Sequence, residues 1–333
     1  MKIVKYLLLA AVVLSVASCG GGSNGSSIVA ESEEVIKINR FEDIVFGTPI
    51  EELQQTLVNN SYDYRFLFNT NVNNPAYFEE IKYFATDTLM QKVYNVVHTT
   101  YPDLSWLEKE LAEAMNRSQE LLPGNSIKNY YTLITGTFAY YDRVICTDSF
   151  MAINIDQYSV KNMKYFNAYF GMPMYIVNLL DSVYMPIDCM ASYAISKIPQ
   201  SNTADQSMLD LMIFNGKILY FLDKVLPNTP DSVKLRYTSQ QMQWAEANEG
   251  NVWGYFVQKN LLYENDYAKI RPFVNEAPNT SAFENSAPRM TDFIGWKIVD
   301  RYMNKKDISM EELFKNTDSQ KILTDSGYKP KRK

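Results

Sequence analysis

Apolar positions follow different periods in different stretches of the chain, and each period predicts an element. Residues 35–44 mix apolar and charged side chains as a strand does. Thr48-Pro49-Ile50-Glu51 then reads as a helix start, with Thr48 as cap, Pro49 in the first turn and Glu51 reaching back. Residues 59–74 are polar and irregular. Leu104, Leu107, Leu111, Met115, Leu121 and Leu122 recur at helical spacing, so a helix is expected from about 103 to 122, stopped by Pro123-Gly124. The period then changes. Residues 130–138, 143–146 and 150–155 are β-branched and aromatic between polar breaks, which predicts two or three strands. From Tyr175 onward helical signals dominate. Thr203-Ala204-Asp205-Gln206 is a capping box for a helix reaching Leu226-Pro227, and Thr238-Ser239-Gln240-Gln241 opens another that runs past Trp253 towards Tyr263. Residues 291–303 and 309–314 supply two more, the last boxed by Ser309 and Glu312. Strands first and helices afterwards predict an α+β fold, with a small, mainly antiparallel sheet followed by a predominantly helical C-terminal part.

The first 27 residues follow another logic. Lys2 and Lys5 give a basic start, Tyr6 to Leu14 a short apolar run, and Val16-Ala17-Ser18-Cys19 a small-residue exit into a Gly/Ser-rich stretch. That order marks a secretory signal, and the run is too short to span a bilayer. The exit cysteine makes it resemble a bacterial lipoprotein signal, in which Cys19 is acylated and becomes the mature N-terminus; a plain signal with an incidental cysteine is the alternative. The expected division is signal 1–18, lipidated flexible linker 19–34, and one α+β domain over 35–333. The expected partners are the lipid bilayer, through acylated Cys19, and other envelope proteins. Gly20-Gly21-Gly22 carries no acidic cluster, so the domain is expected to face the periplasm.

Composition narrows the chemistry. With a net charge of −6, the 333-residue chain lacks the basic footprint that nucleic acid requires. Aromatics reach 14%, including 24 tyrosines, which suits a large mixed core as well as a glycan-binding surface. Cys146 and Cys189 remain beside Cys19, and free buried thiols are expected rather than a disulfide. The chain has one histidine, His98, so a zinc helix with two histidines one turn apart cannot exist. No Gly-rich phosphate loop occurs, and the one G-x-S-x-G string, Gly21 to Gly25, lies in the Gly/Ser-rich stretch after Cys19 rather than between a strand and a helix, so it is no nucleophile elbow. Paired carboxylates such as Glu246 and Glu249 remain possible acid–base groups, the basis of an alternative reading as an envelope hydrolase or glycan/peptide-binding lipoprotein.

One helix carries an anomaly. Met208, Leu211, Met212, Leu219 and Leu222 form an apolar stripe, yet Asn215 falls inside it, with Gly216 beside it. A polar group facing a core needs a hydrogen bond, and an interior glycine, about 1 kcal/mol worse than alanine in a helix, suggests close approach by another element.

Asp210 to Pro227, Tyr237-Thr238 through Gln243-Trp244, Asn248-Glu249, Trp253-Gly254-Tyr255-Phe256 and Leu261-Leu262-Tyr263 resemble the gliding-motility lipoprotein GldB family of Bacteroidota. So do Phe293-Ile294-Gly295-Trp296-Lys297-Ile298-Val299, Arg301-Tyr302-Met303, the ending 320–330, and Met151-Ala152-Ile153-Asn154-Ile155-Asp156 before an irregular loop. Ala287-Pro288-Arg289 stands where the family would show Pro-Gly-Arg. GldB is itself similar to predicted zinc peptidases of the zincin fold. On that comparison Asn215, Gly216 and Leu219 stand where His, Glu and His would bind zinc and activate water, and Glu249 stands near the downstream glutamate. The resemblance therefore implies a zincin-like scaffold with a relic site, no catalytic residue, no metal, no cofactor, and a non-catalytic role in or near the gliding-motility machinery, with gliding or secretion components as partners.

Overall fold

The computed structural model describes residues 35–68, 71–137, 143–163, 171–199 and 206–330. The first element is a strand, β1 (Ile38–Arg40), followed by five helices: α1 (Phe41–Gly47), α2 (Ile50–Asn59), α3 (Pro75–Thr86), α4 (Thr88–Thr100) and α5 (Ser105–Leu121). Three strands come next, β2 (Asn129–Leu133), β3 (Val144–Cys146) and β4 (Phe150–Asn154), and a 3₁₀ segment (Ile155–Asn162). The rest is helical: α6 (Met174–Val177), a 3₁₀ turn (Ser182–Tyr184), α7 (Met185–Lys197), α8 (Met208–Val225), α9 (Asp231–Lys234), α10 (Ser239–Gln258), α11 (Tyr267–Val274), α12 (Met290–Lys305), α13 (Met310–Lys315) and α14 (Ser319–Ser326). The class is α+β and mostly helical.

Four expectations are corrected. The sheet is mixed, in the order β1-β2-β4-β3, and only β3–β4 is antiparallel; β1–β2 and β2–β4 are parallel. Short strands close in sequence suggested hairpins, but β3 skips β2 and turns back only on β4, where Thr147 N donates to Phe150 O at 2.9 Å. Burial explains the choice. The middles of β2 and β4 are buried on both faces, as parallel strands require, while Ile145 at the centre of edge strand β3 is exposed. On one face Tyr130, Met151 and Ile153 join the main core; on the other Tyr131 and Ala152 pack with Tyr64. The order of elements differs too, because five helices precede β2. Residues 35–44 are a strand only to Arg40, where Phe41 begins α1. Thr48 does not cap α2: Pro49 is the N-cap residue and no side chain caps that end.

Other expectations hold. In α5, Leu107, Leu111 and Met115 are fully buried one turn apart, and Gly124 beyond it takes a φ of 80°. The boxes Thr238–Gln241 and Ser309–Glu312 both form. The expected box at 203–206 falls mostly outside the described residues; α8 is opened by a box of its own, in which Ser207 Oγ accepts from Asp210 N and Asp210 Oδ2 accepts from Ser207 N. Met208 N and Leu209 N donate to Glu264 O and Leu262 O, so this helix start has no orphan donors there. α8 is buried on nearly every side and packs against α5, α7, α12 and α14. It is the central beam of the helical part.

Candidate functional site

Two faces of α8 decide what the suspected site can be. On the first, Gly216 meets Gly295 of α12. A Cβ on Gly216 would lie 2.5 Å from Gly295 C and 3.0 Å from Trp296 N, and one on Gly295 would lie 2.6 Å from Met212 C. Two glycines let the helix backbones touch, and that face is closed.

On the second face Asn215, Leu219 and Leu222 look into a cleft of ≈ 290 Å³. α7 forms another wall through Ile187, Asp188 and Ile195, and the start of β3, the end of α9 and the start of α12 complete it. The structure thus brings Asn215 and Leu219 to one cleft and turns Gly216 away from it. Glu249 is not among the residues lining it. It lies on α10, where Tyr328 Oη donates to its Oε1 at 2.8 Å, and it secures the C-terminal segment with Trp253, which meets the Tyr328 ring edge-on at 5.1 Å. Cys19 falls outside the described residues.

Ionic groups line the cleft in linked sets. Asn215 Nδ2 donates to Asp292 Oδ1 at 2.7 Å, and Arg289 Nη1 donates to Asp292 Oδ2 at 2.6 Å. The Arg289 guanidinium also pairs with Glu276 at 2.9 Å and donates to Leu235 O at 2.7 Å. Burial pushes the Asp292 carboxyl above its ordinary range, against the pull of Arg289 and Asn215. The second set is centred on Asp188, which takes Arg143 Nε at 2.9 Å and Tyr158 Oη at 2.7 Å, and also pairs with Arg236. Arg236 lies over the Tyr184 ring, 4.9 Å from its centroid. At the third corner Asp223 takes Lys234 at 2.7 Å and Trp296 Nε1 at 2.6 Å. Tyr237 Oη donates to Pro288 O at 2.7 Å, tying the segment after α9 to the one before α12.

Sequence reasoning found Asn215 but not Arg143, Arg236, Lys234 or Asp188. They come from separate stretches of chain with no motif between them, so only the fold assembles them. Arg289, noted for its altered Ala-Pro-Arg context, is firmly held.

Other candidates lie elsewhere. His98 is exposed in the last turn of α4, its Nδ1 3.8 Å from Asp43. Cys146 and Cys189 are both free; burial pushes the Cys146 thiol up to about 11 and the Cys189 thiol higher still, which makes both poor nucleophiles at neutral pH. Glu246 is exposed. Two further carboxyls with raised pKa values, Glu42 and Asp156, lie beside the sheet. Asp156 accepts from Gly136 N at 3.2 Å and burial pushes it up to about 7; Glu42, also raised by burial, accepts from Thr132 Oγ1 at 3.0 Å.

A zinc ion of the peptidase kind needs imidazole and carboxylate donors. Positions 215, 216 and 219 offer an amide, a hydrogen atom and an isobutyl group, with Gly216 facing a packed helix, so the residues present do not fit one. Among the described residues no three His, Cys, Asp or Glu side chains gather as metal ligands, and no helix is long and apolar enough to cross a membrane. A family model described as gliding motility protein GldB matches residues 24–330. No curated protein and no solved structure matches the chain.

Proposed function

The chain belongs to the gliding motility protein GldB family, and from that premise we propose that it is a lipid-anchored envelope component of the motility apparatus that acts by binding rather than by catalysis. The observation that carries this reading is the match over residues 24–330, directly behind a leader whose exit cysteine is Cys19. Acylation at Cys19 would hold the domain on the membrane, since each buried methylene contributes about 0.8 kcal/mol and two chains anchor where one does not. The non-catalytic part of the reading is supported by the α8 positions compared with a zincin helix. Their side chains provide neither ligands nor a general base, and the glycine at the position of the base is used for helix packing. The zincin kinship itself is part of the proposal. The domain is taken to span 35–333 and to face the periplasm, in contact with other envelope proteins.

Fractionation tests the anchor. The native chain should sediment with membranes, and Cys19→Ala should appear in the soluble fraction at comparable abundance. A variant that stays membrane-bound would refute lipid anchoring. Protease added to whole cells should leave the domain intact if it faces the periplasm, and digestion would overturn that placement.

A further inference from the structure

A second opening, separate from the α8 cleft, lies between the start of α5 and the turns around α9. It is a groove of ≈ 400 Å³, within the range of small-ligand sites. Trp106 and Glu110 of α5 stand one turn apart, so both side chains fall on the helix face that borders it. The other walls are the 3₁₀ turn with Ser182 and Val183, Pro186 at the start of α7, and the segment from Asn228 to Pro230 with Val233 of α9. Backbone bonds fix these walls as tight turns: Tyr184 N donates to Asp181 O at 3.0 Å, and Val233 N donates to Pro230 O at 2.9 Å.

Among the described residues lining the groove, Glu110 alone is charged, and no cation pairs with it. The acids near it in the chain or next to the walls are matched: Glu113 takes Arg117 at 3.2 Å, Asp181 takes Lys161 at 2.7 Å, and Asp231 takes Lys234 at 3.3 Å. Burial pushes the Glu110 carboxyl above its ordinary range, and the Glu113 carboxylate adds to the rise with no cation opposing it. Trp106 supplies an independent observation. It is 39% exposed, and neither its ring nor its Nε1 has a partner among the described residues. The face of an indole attracts a cation more strongly than any other aromatic ring.

We propose that this groove binds a primary ammonium on an apolar stem, such as a lysine side chain, held by the Glu110 carboxylate and the Trp106 indole. Val183, Pro186 and Val233 offer apolar surface to the stem. An ammonium group has three donors and no acceptor. The Glu110 carboxylate, the Asn228 amide oxygen and the Thr229 hydroxyl are acceptors in the same groove, so a primary amine fits it better than a quaternary one, which has no N–H and is held by several aromatic rings at once. The two prolines and the tight turns keep the walls in place before the ligand arrives, which lowers the ordering cost of binding. The inference stands apart from lipid anchoring and makes no use of it.

Titration calorimetry on the full chain in non-ionic detergent tests it with N-acetyl-lysine methylamide against its uncharged counterpart, N-acetyl-norleucine methylamide. The lysine compound should saturate the protein, and the norleucine compound should bind at least about tenfold more weakly. The Nε-trimethylated lysine compound should also bind more weakly than lysine, because it has no N–H to donate. Glu110→Gln keeps the shape and removes the charge. It should weaken the lysine compound at least about tenfold and leave the norleucine compound unchanged, a difference that a loss of folding cannot imitate. Trp106→Leu keeps an apolar side chain and removes the ring; it should weaken the lysine compound by about threefold with an unchanged circular dichroism spectrum. Equal binding of the lysine and norleucine compounds, no saturation by about 10 mM, tighter binding of the trimethylated compound, or full binding of the lysine compound by Glu110→Gln would each overturn the proposal.

Discussion

The contact between α8 and α12 leaves no room for a methyl group, and replacing Gly216 measures what that closeness is worth. In a free helix Gly216→Ala would gain about 1 kcal/mol from propensity. Here the new Cβ would lie 2.5 Å from Gly295 C and 3.0 Å from Trp296 N. Both obstacles are backbone, so relief requires shifting α12 as a body, with Phe293, Ile294 and Ile298 of that helix fully buried. Overpacking of this kind costs about 1 to 3 kcal/mol. With the obstacle rigid, the upper end applies, and Gly216→Ala should be net destabilising by about 2 kcal/mol. Gly216→Leu adds further carbons to the same seam and should lose about 3 kcal/mol. In a domain of this size 1 kcal/mol lowers Tm by about 2 °C, so urea midpoints with an unchanged slope are the better assay. Gly295→Ala meets Met212 on the same seam, and its cost should combine with that of Gly216→Ala less than additively, because one helix shift relieves both. A higher Tm or midpoint for Gly216→Ala would refute the closed seam.

Asn215→Leu leaves the buried Asp292 without the amide 2.7 Å away and should cost about 1 to 3 kcal/mol, read as a lower urea midpoint; an unchanged midpoint would show that the amide contributes nothing. Asp156 is raised in the folded protein from an ordinary 3.8 to about 7, so the stability it contributes is complete below about pH 4 and is lost as the pH rises towards 7. Asp156→Asn should therefore match the native chain near pH 4 and exceed it by a few kcal/mol near pH 8; a constant difference across that range would contradict this assignment. Elemental analysis of the purified chain should find zinc far below one equivalent, and a stoichiometric, tightly held zinc would reverse the reading of the α8 face.

Where a local signal decides an element, the sequence was readable. The leucine spacing gave α5, and two capping boxes placed the starts of α10 and α13. α3 and α4 were missed because their starts rest on single caps, Asn74 and Asp87, each accepting from the backbone of its first turn. α1 hid inside a strand-like alternation at Phe41–Gly47. Sheet direction was not readable, because the parallel pairing of β2 with β4 depends on which strand is buried on both faces, a property of the finished fold. The site divided in the same way. Asn215 and Gly216 were flagged by their misfit in an apolar stripe, and the structure gives each a partner, Asp292 and Gly295. The arginines of the cleft come from positions 143, 236 and 289, and no spacing rule connects them.

Anchored action in motility is tested most directly in the cells to which the chain is native, by deleting it and supplying back either the native sequence or Cys19→Ala while colony spreading is recorded. Deletion should abolish spreading, the native chain should restore it, and Cys19→Ala should fail although the soluble protein accumulates to the same level. Spreading that survives deletion, or that a soluble Cys19→Ala restores in full, would contradict the account.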